Sequence, residues 1–312
     1  MDRSWIFDCN ESFGFIQYSE KTLLIYFNDW LIPKYGIWDF KKSLDYTLSL
    51  ETDPDLSDQA LKNQVREQIR IEVTNIMEVS NAGYFFPRIS KNMVNFDFIS
   101  NESLQDLRSF QNILKAFDEI ANFVELDEIN MNTYSHKIRE LLILSCTEVE
   151  YLMKKLLIDN NYSTTRRYLN TIDYYNCKEI LKLDRYSVEL KKYKDLKVFK
   201  PFSNWSEGAT TETLPWYAAY NAVKHDRGGN FTQANLKNLM DSIAAIHILL
   251  EAQYGKNIFN GFHSIIEDKS LFLTTTHPEW ELKDICVPKL KIGPQREVLT
   301  EWLGTKFYFN EA

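Results

Sequence analysis

The residues best suited to chemistry lie close together between positions 217 and 229. Tyr217, Asn221 and His225 recur every four residues, which puts them on one stripe of a helix, with Lys224 beside them. Arg227 and the pair Gly228-Gly229 follow at once, so the stripe is expected to end at a flexible, solvent-reachable terminus. An imidazole there can move a proton near neutral pH, and a helix C-terminus favours its cationic form. Lysine and arginine beside it suit the negative charge that develops on a phosphodiester under attack. The plainer account of the same residues is that basic side chains are common in the last turn of a helix. The remaining histidines, His136, His247, His263 and His277, stand apart from other ligand types in the sequence, and His247 reads as a packing residue. The cysteines at 9, 146, 177 and 286 have neither zinc-knuckle nor redox-pair spacing, and Cys146 reads as a small core residue. No cofactor and no metal are expected.

Charge is unevenly placed. The 312 residues carry a net charge of −8, which argues against broad, non-specific nucleic-acid binding. Positions 154–200 nevertheless hold twelve cations against six carboxylates, a local excess of +6 that leaves −14 elsewhere. Arg166, Arg167, Lys191, Lys192 and Lys194 belong to that segment and could track a phosphate backbone; solvated helix faces are the alternative reading. Apolar runs such as Ile243–Leu250 fall far short of the ~18 residues that cross a bilayer. The first residues have no apolar leader, so a cytoplasmic chain is expected.

The elements that must position the stripe follow from periodicity. Segments 22–27 and 46–50 are β-branched and aromatic and read as strands. Apolar residues at helical spacing predict helices over 58–80, 102–126, 135–158 and 232–254, with weaker ones at 164–170 and 177–188. Thr213 with Pro215 predicts the capped start of the motif helix, and Thr232 the start of the last one. Segments 270–275 and 306–309 look like strands. The expected fold is mainly α: an up-and-down helical bundle over 131–256, preceded by a small α+β region over 1–130 and followed by a short mixed tail over 257–312.

The run from Trp216 to Arg227, with Asn221, Lys224 and His225 in place, resembles a bacterial branch of the HEPN superfamily that carries a YNxVKHxR-like motif. The long helix bearing Arg139-Glu140-Leu141-Leu142 and Cys146-Thr147-Glu148-Val149-Glu150 is similar to that branch's first bundle helix. The resemblance implies a bundle that dimerises so that two motif helices build a metal-independent RNase site, in anti-phage or toxin–antitoxin systems. At the position of the family's arginine this chain has Tyr220, which cannot neutralise a phosphate, so Lys224 or Arg227 would have to substitute.

Two functions follow as expectations. In the first, the chain is a HEPN-like ribonuclease or toxin-type effector. His225 shuttles the proton, Lys224 and Arg227 hold the oxyanion, Asn221 orients the histidine or phosphate, and Glu148 or Glu150 holds the imidazole or a basic partner. In the second, the bundle is a non-catalytic module that binds RNA, a nucleotide or a partner protein within a defence complex. The partners expected are RNA and a second copy or a larger complex, with no membrane.

Overall fold

The computed structural model describes residues 2–9, 12–27, 46–49, 55–91, 101–193, 196–255, 258–259, 269–294 and 296–310. Lys194 and His263 lie outside the described residues. The chain is mixed α+β, divided into two compact units. One comprises Met1–Phe86 and Trp280–Lys306, the other Pro87–Glu279 and Phe307–Ala312. This division runs elsewhere than the expected borders at 130 and 256. The helix after residue 100 packs with the later helices, and most of the tail joins the N-terminal sheet.

The first unit starts with strands β1 (Arg3–Cys9), β2 (Ser12–Ser19), β3 (Thr22–Phe27) and β4 (Tyr46–Ser49), then helix α1 (Asp58–Ile69) and strands β5 (Ile76–Val79) and β6 (Tyr84–Phe85). An antiparallel sheet runs in the order β4-β3-β2-β1-β5. Alternation sends Trp5, Phe7, Cys9, Ile16, Leu23, Ile25 and Phe27 into one cluster with Leu61 and Val65 of α1. Gly14 faces Phe7 across the ladder, and a Cβ there would fall 2.1 Å from the Phe7 ring, so only glycine fits. The helix expected over 58–80 stops at Ile69, because Arg70 adopts a left-handed cap (φ 58°). The β-branched residues beyond it form β5, which pairs with β1.

The second unit holds α2 (Asn101–Ala121), α3 (His136–Asp159), α4 (Thr171–Leu181), β7 (Ser187–Leu190), α5 (Pro215–His225), α6 (Arg227–Asn230), α7 (Leu236–Tyr254) and β8 (Phe272–Thr276). The tail then returns to the first unit as β9 (Lys289–Ile292), β10 (Val298–Glu301) and β11 (Gly304–Thr305). Helix α7 is almost entirely buried, and α3 forms its most extensive packing partner. These two run parallel. Their starts meet where the Leu236 N–H donates to the Thr133 carbonyl (2.9 Å), and nearer their ends Gln253 Nε2 donates to the Leu152 carbonyl (3.1 Å). Helices α2 and α5 run the other way. The Tyr254 hydroxyl at the end of α7 reaches Asp106 near the start of α2 (2.6 Å), and Arg139 at the start of α3 reaches the end of α5.

Several local expectations are corrected. Residues 164–170 form turns; helix α4 begins at Thr171, where Asn170 and Asp173 make a capping box, and ends at Leu181. Residues 187–190 are a strand because β8 supplies a partner some 80 residues away. Thr213 does not cap α5. Its hydroxyl donates to the Ala209 carbonyl (2.7 Å), and Leu214 precedes Pro215 at N1. The last helix starts four residues after Thr232, with Asn235 Oδ1 accepting from the Asn238 N–H (3.0 Å). Residues 308–310 form a 3₁₀ turn in place of the strand expected over 306–309. No helix among the described residues is long and apolar enough to cross a membrane.

Candidate functional site

Helix α5 buries Trp216, Tyr217, Ala219, Tyr220 and Val223, and its polar stripe climbs out of that packing into solvent. Tyr217 lies at the buried end. Its hydroxyl donates to Glu150 Oε1 of α3 (2.5 Å), and burial followed by the Glu150 charge pushes its pKa upward. Asn221 is half-buried and His225 fully on the surface, and neither makes a side-chain hydrogen bond to another described residue. Lys224 lies over the Tyr220 ring with its ammonium donating to the Tyr220 hydroxyl (2.8 Å). That hydrogen bond, opposed by partial desolvation, raises the lysine's pKa. Tyr220 is buried (1% exposed) and holds the lysine by its oxygen and ring face.

The helix end is more ordered than a glycine stop implies. Asp226 caps the single turn of α6 by accepting from the Gly229 N–H (3.1 Å), while Arg227 points into solvent. A Cβ on Gly229 would lie 2.7 Å from the capping carboxylate, which is why a small residue stands there.

One residue that the motif did not indicate completes this end. Arg139 of α3 donates through Nε and Nη2 to the Val223 carbonyl (3.3 and 3.2 Å), one of the acceptors left over in the last turn of α5. A guanidinium is thereby brought to the helix end that carries Lys224, His225 and Arg227, with N–H groups to spare. No sequence signal joins Arg139 to a residue 84 positions away.

The other expected site residues are distributed elsewhere. Glu148 and Glu150 leave α3 on opposite sides. Glu150 meets α5, whereas Glu148 feels Asp106 and Arg88, and burial lifts its pKa to about 7. One Glu148 oxygen is buried without a hydrogen-bond partner. Arg166 is paired with the buried Asp173 (2.8 Å), and Arg167 lies over Tyr168. Lys191 donates to the Ser270 carbonyl (3.1 Å) and, with Lys192, lines a cavity of about 230 Å³ between α2 and the β7–β8 ribbon. Lys155, Lys178 and Lys197 are also engaged, with Asp159, Asp184 and Asp241. Much of the +6 segment is therefore used in holding the fold.

A second polar cluster is internal. His247 of α7 meets the Ser270 and Thr274 hydroxyls (2.8 and 3.0 Å) and stacks on Phe259 at 4.2 Å. Glu251 bonds His277 (2.6 Å) and the Thr274 hydroxyl. Burial would raise the Glu251 pKa, but the His247 and Thr274 hydrogen bonds outweigh it and keep the carboxyl below its usual range. These contacts fasten β8 to α7, which is the packing role read for His247.

Against known protein families, curated proteins and solved structures, the chain finds no match. Its function must therefore be argued from the end of α5 itself.

Proposed function

We propose that the chain is a HEPN-like, RNA-directed effector whose site is the C-terminal end of α5, and that it cleaves RNA without a metal ion. One observation carries the reading: an exposed His225, without a hydrogen-bond partner among the described residues, shares its helix end with Lys224, Arg227 and the Arg139 guanidinium supplied by α3. The alternating directions of α2, α3, α5 and α7 support the finer architecture, an up-and-down bundle. In the reaction the ribose 2′-hydroxyl attacks the adjacent phosphorus and the bond to the 5′-oxygen breaks, leaving a 2′,3′-cyclic phosphate and a 5′-hydroxyl. His225 takes the 2′ proton or returns one to the leaving oxygen; a second copy's histidine would serve the other transfer. Lys224, Arg227 and Arg139 stabilise the pentacoordinate oxyanion, with Asn221 orienting the phosphate. A homodimer in the cytoplasm, acting in antiviral defence or as a toxin, belongs to the same proposal.

The buried Tyr220 favours a second reading, in which the surface binds RNA or a partner and cuts nothing. The test incubates wild type and His225→Ala with end-labelled RNA in EDTA. Cyclic-phosphate ends from wild type alone support catalysis, with a loss of about 10²–10⁴-fold in the variant. Equal cleavage by both removes His225 from the mechanism. Binding without cleavage leaves the second reading.

A further inference from the structure

The end of α5 lies beside three clustered aromatic rings. Phe231 opens a 3₁₀ turn (Phe231–Gln233) that packs against α5, six residues beyond His225. Its ring lies 4.7 Å from the His136 ring and 5.4 Å from Tyr134, the latter edge-on. A backbone bridge between Tyr134 and Asn235 fixes the chain beneath them. Tyr134 is nevertheless 47% exposed and His136 lies on the surface, so the rings are held in place without being covered by described residues. Arg139 stands one helical turn after His136 and is anchored on α5. Rigid, wet aromatic faces next to several cations are what an unpaired nucleotide needs: a π-face for the base and positive charge for the phosphate.

We infer that Tyr134, His136 and Phe231 form a stacking platform for an unpaired base, which seats single-stranded RNA with its phosphate at Arg139, Lys224 and His225. This rests on the RNA-directed reading above and specifies the substrate as single-stranded. A duplex keeps its bases stacked on each other and offers such a platform no free face. The cations supply the complementarity that an exposed aromatic patch alone would lack.

The test uses the full-length protein in EDTA with a short oligoadenylate carrying 2-aminopurine, compared with the same strand annealed to its complement. Wild type should bind the single strand better than the duplex, and stacking should quench the 2-aminopurine emission. Tyr134→Ala should weaken single-strand binding about ten-fold or more and restore emission, while Tyr134→Phe keeps both properties, since stacking needs the ring and not the hydroxyl. Glu207→Gln, at an exposed position upstream of α5, should leave both unchanged. If Tyr134→Ala matches wild type while Arg139→Ala still loses binding, or if the duplex binds equally well, the platform is overturned and the RNA-directed reading stands. If wild type binds neither strand nor duplex, that reading fails and the platform with it. The quench is read on wild type, so misfolding of Tyr134→Ala does not decide the outcome.

Discussion

Glu148→Gln should stabilise the helical unit at alkaline pH and do little at acid pH. Burial, with the nearby Asp106 charge, raises the Glu148 carboxyl from 4.5 to about 7, partly offset by Arg88. A folded-state pKa above the unfolded one means the native state holds a proton longer. Stability from this group is therefore complete below pH 4.5, declines as pH rises through about 7, and is level above that. At ~1.4 kcal/mol per unit the whole shift is worth ~3 kcal/mol, and partial solvent access reduces this to ~1–2 kcal/mol. Glutamine keeps the shape, carries no charge, and can donate toward Asp106. Relative to wild type, its melting temperature should gain ~3–6 °C on going from pH 4.5 to pH 8. Scanning calorimetry of both proteins at the two values reads this difference of differences. A gap that stays constant or narrows with rising pH would mean the carboxylate is ordinarily hydrated, and the reasoning fails. The same variant should cleave RNA as wild type does, because Glu148 faces α2.

Three further outcomes follow from the same contacts. Arg88→Met strands the buried Asp106 beside Glu102 and Asp159 and should cost about 3–5 kcal/mol in denaturant unfolding at neutral pH, less in acid where the carboxylates take up protons. Tyr217→Phe removes the only hydrogen bond to the Glu150 carboxylate among the described residues and should cost ~1–3 kcal/mol, read by the same unfolding curves. Arg139→Lys retains charge but loses the fork on the Val223 carbonyl, and should lower RNA affinity less than Arg139→Ala does in an anisotropy titration.

Long helices were the most legible part of the fold. Apolar positions at helical spacing located α3 within a residue of both ends, and Gly255, at a positive φ of 92°, closed α7 as expected. Strands were legible where β-branched and aromatic residues cluster, as for β3 and β8. Residues 71–80 and 187–190 carry apolar spacing that also suits a helix, and their pairing with β1 and β8 is a long-range fact. The exposed end of α5 could be read from Lys224-His225 and the following glycines. The burial of Tyr220, the ring cluster at Phe231 and the arrival of Arg139 could not, because each depends on which segments fold against one another.

The parallel course of α3 and α7 gives the helical unit an electrical polarity. Two helices finish at one end and α2 begins there, so two negative poles and one positive pole meet. The side chains at that end answer them: Arg88 and Lys155 lie among the finishing helices, and Glu102 occupies the first turn of α2. At the opposite end the positive poles of α3 and α7 meet the negative poles of α2 and α5, so the peptide charges balance there. No carboxylate from α3 occupies its first turn there, and none from α7 does either. In a chain of net charge −8, any attraction for anions at the face where Arg139, Lys224 and His225 emerge therefore comes from those side chains. That attraction falls with each cation removed and fades with added salt.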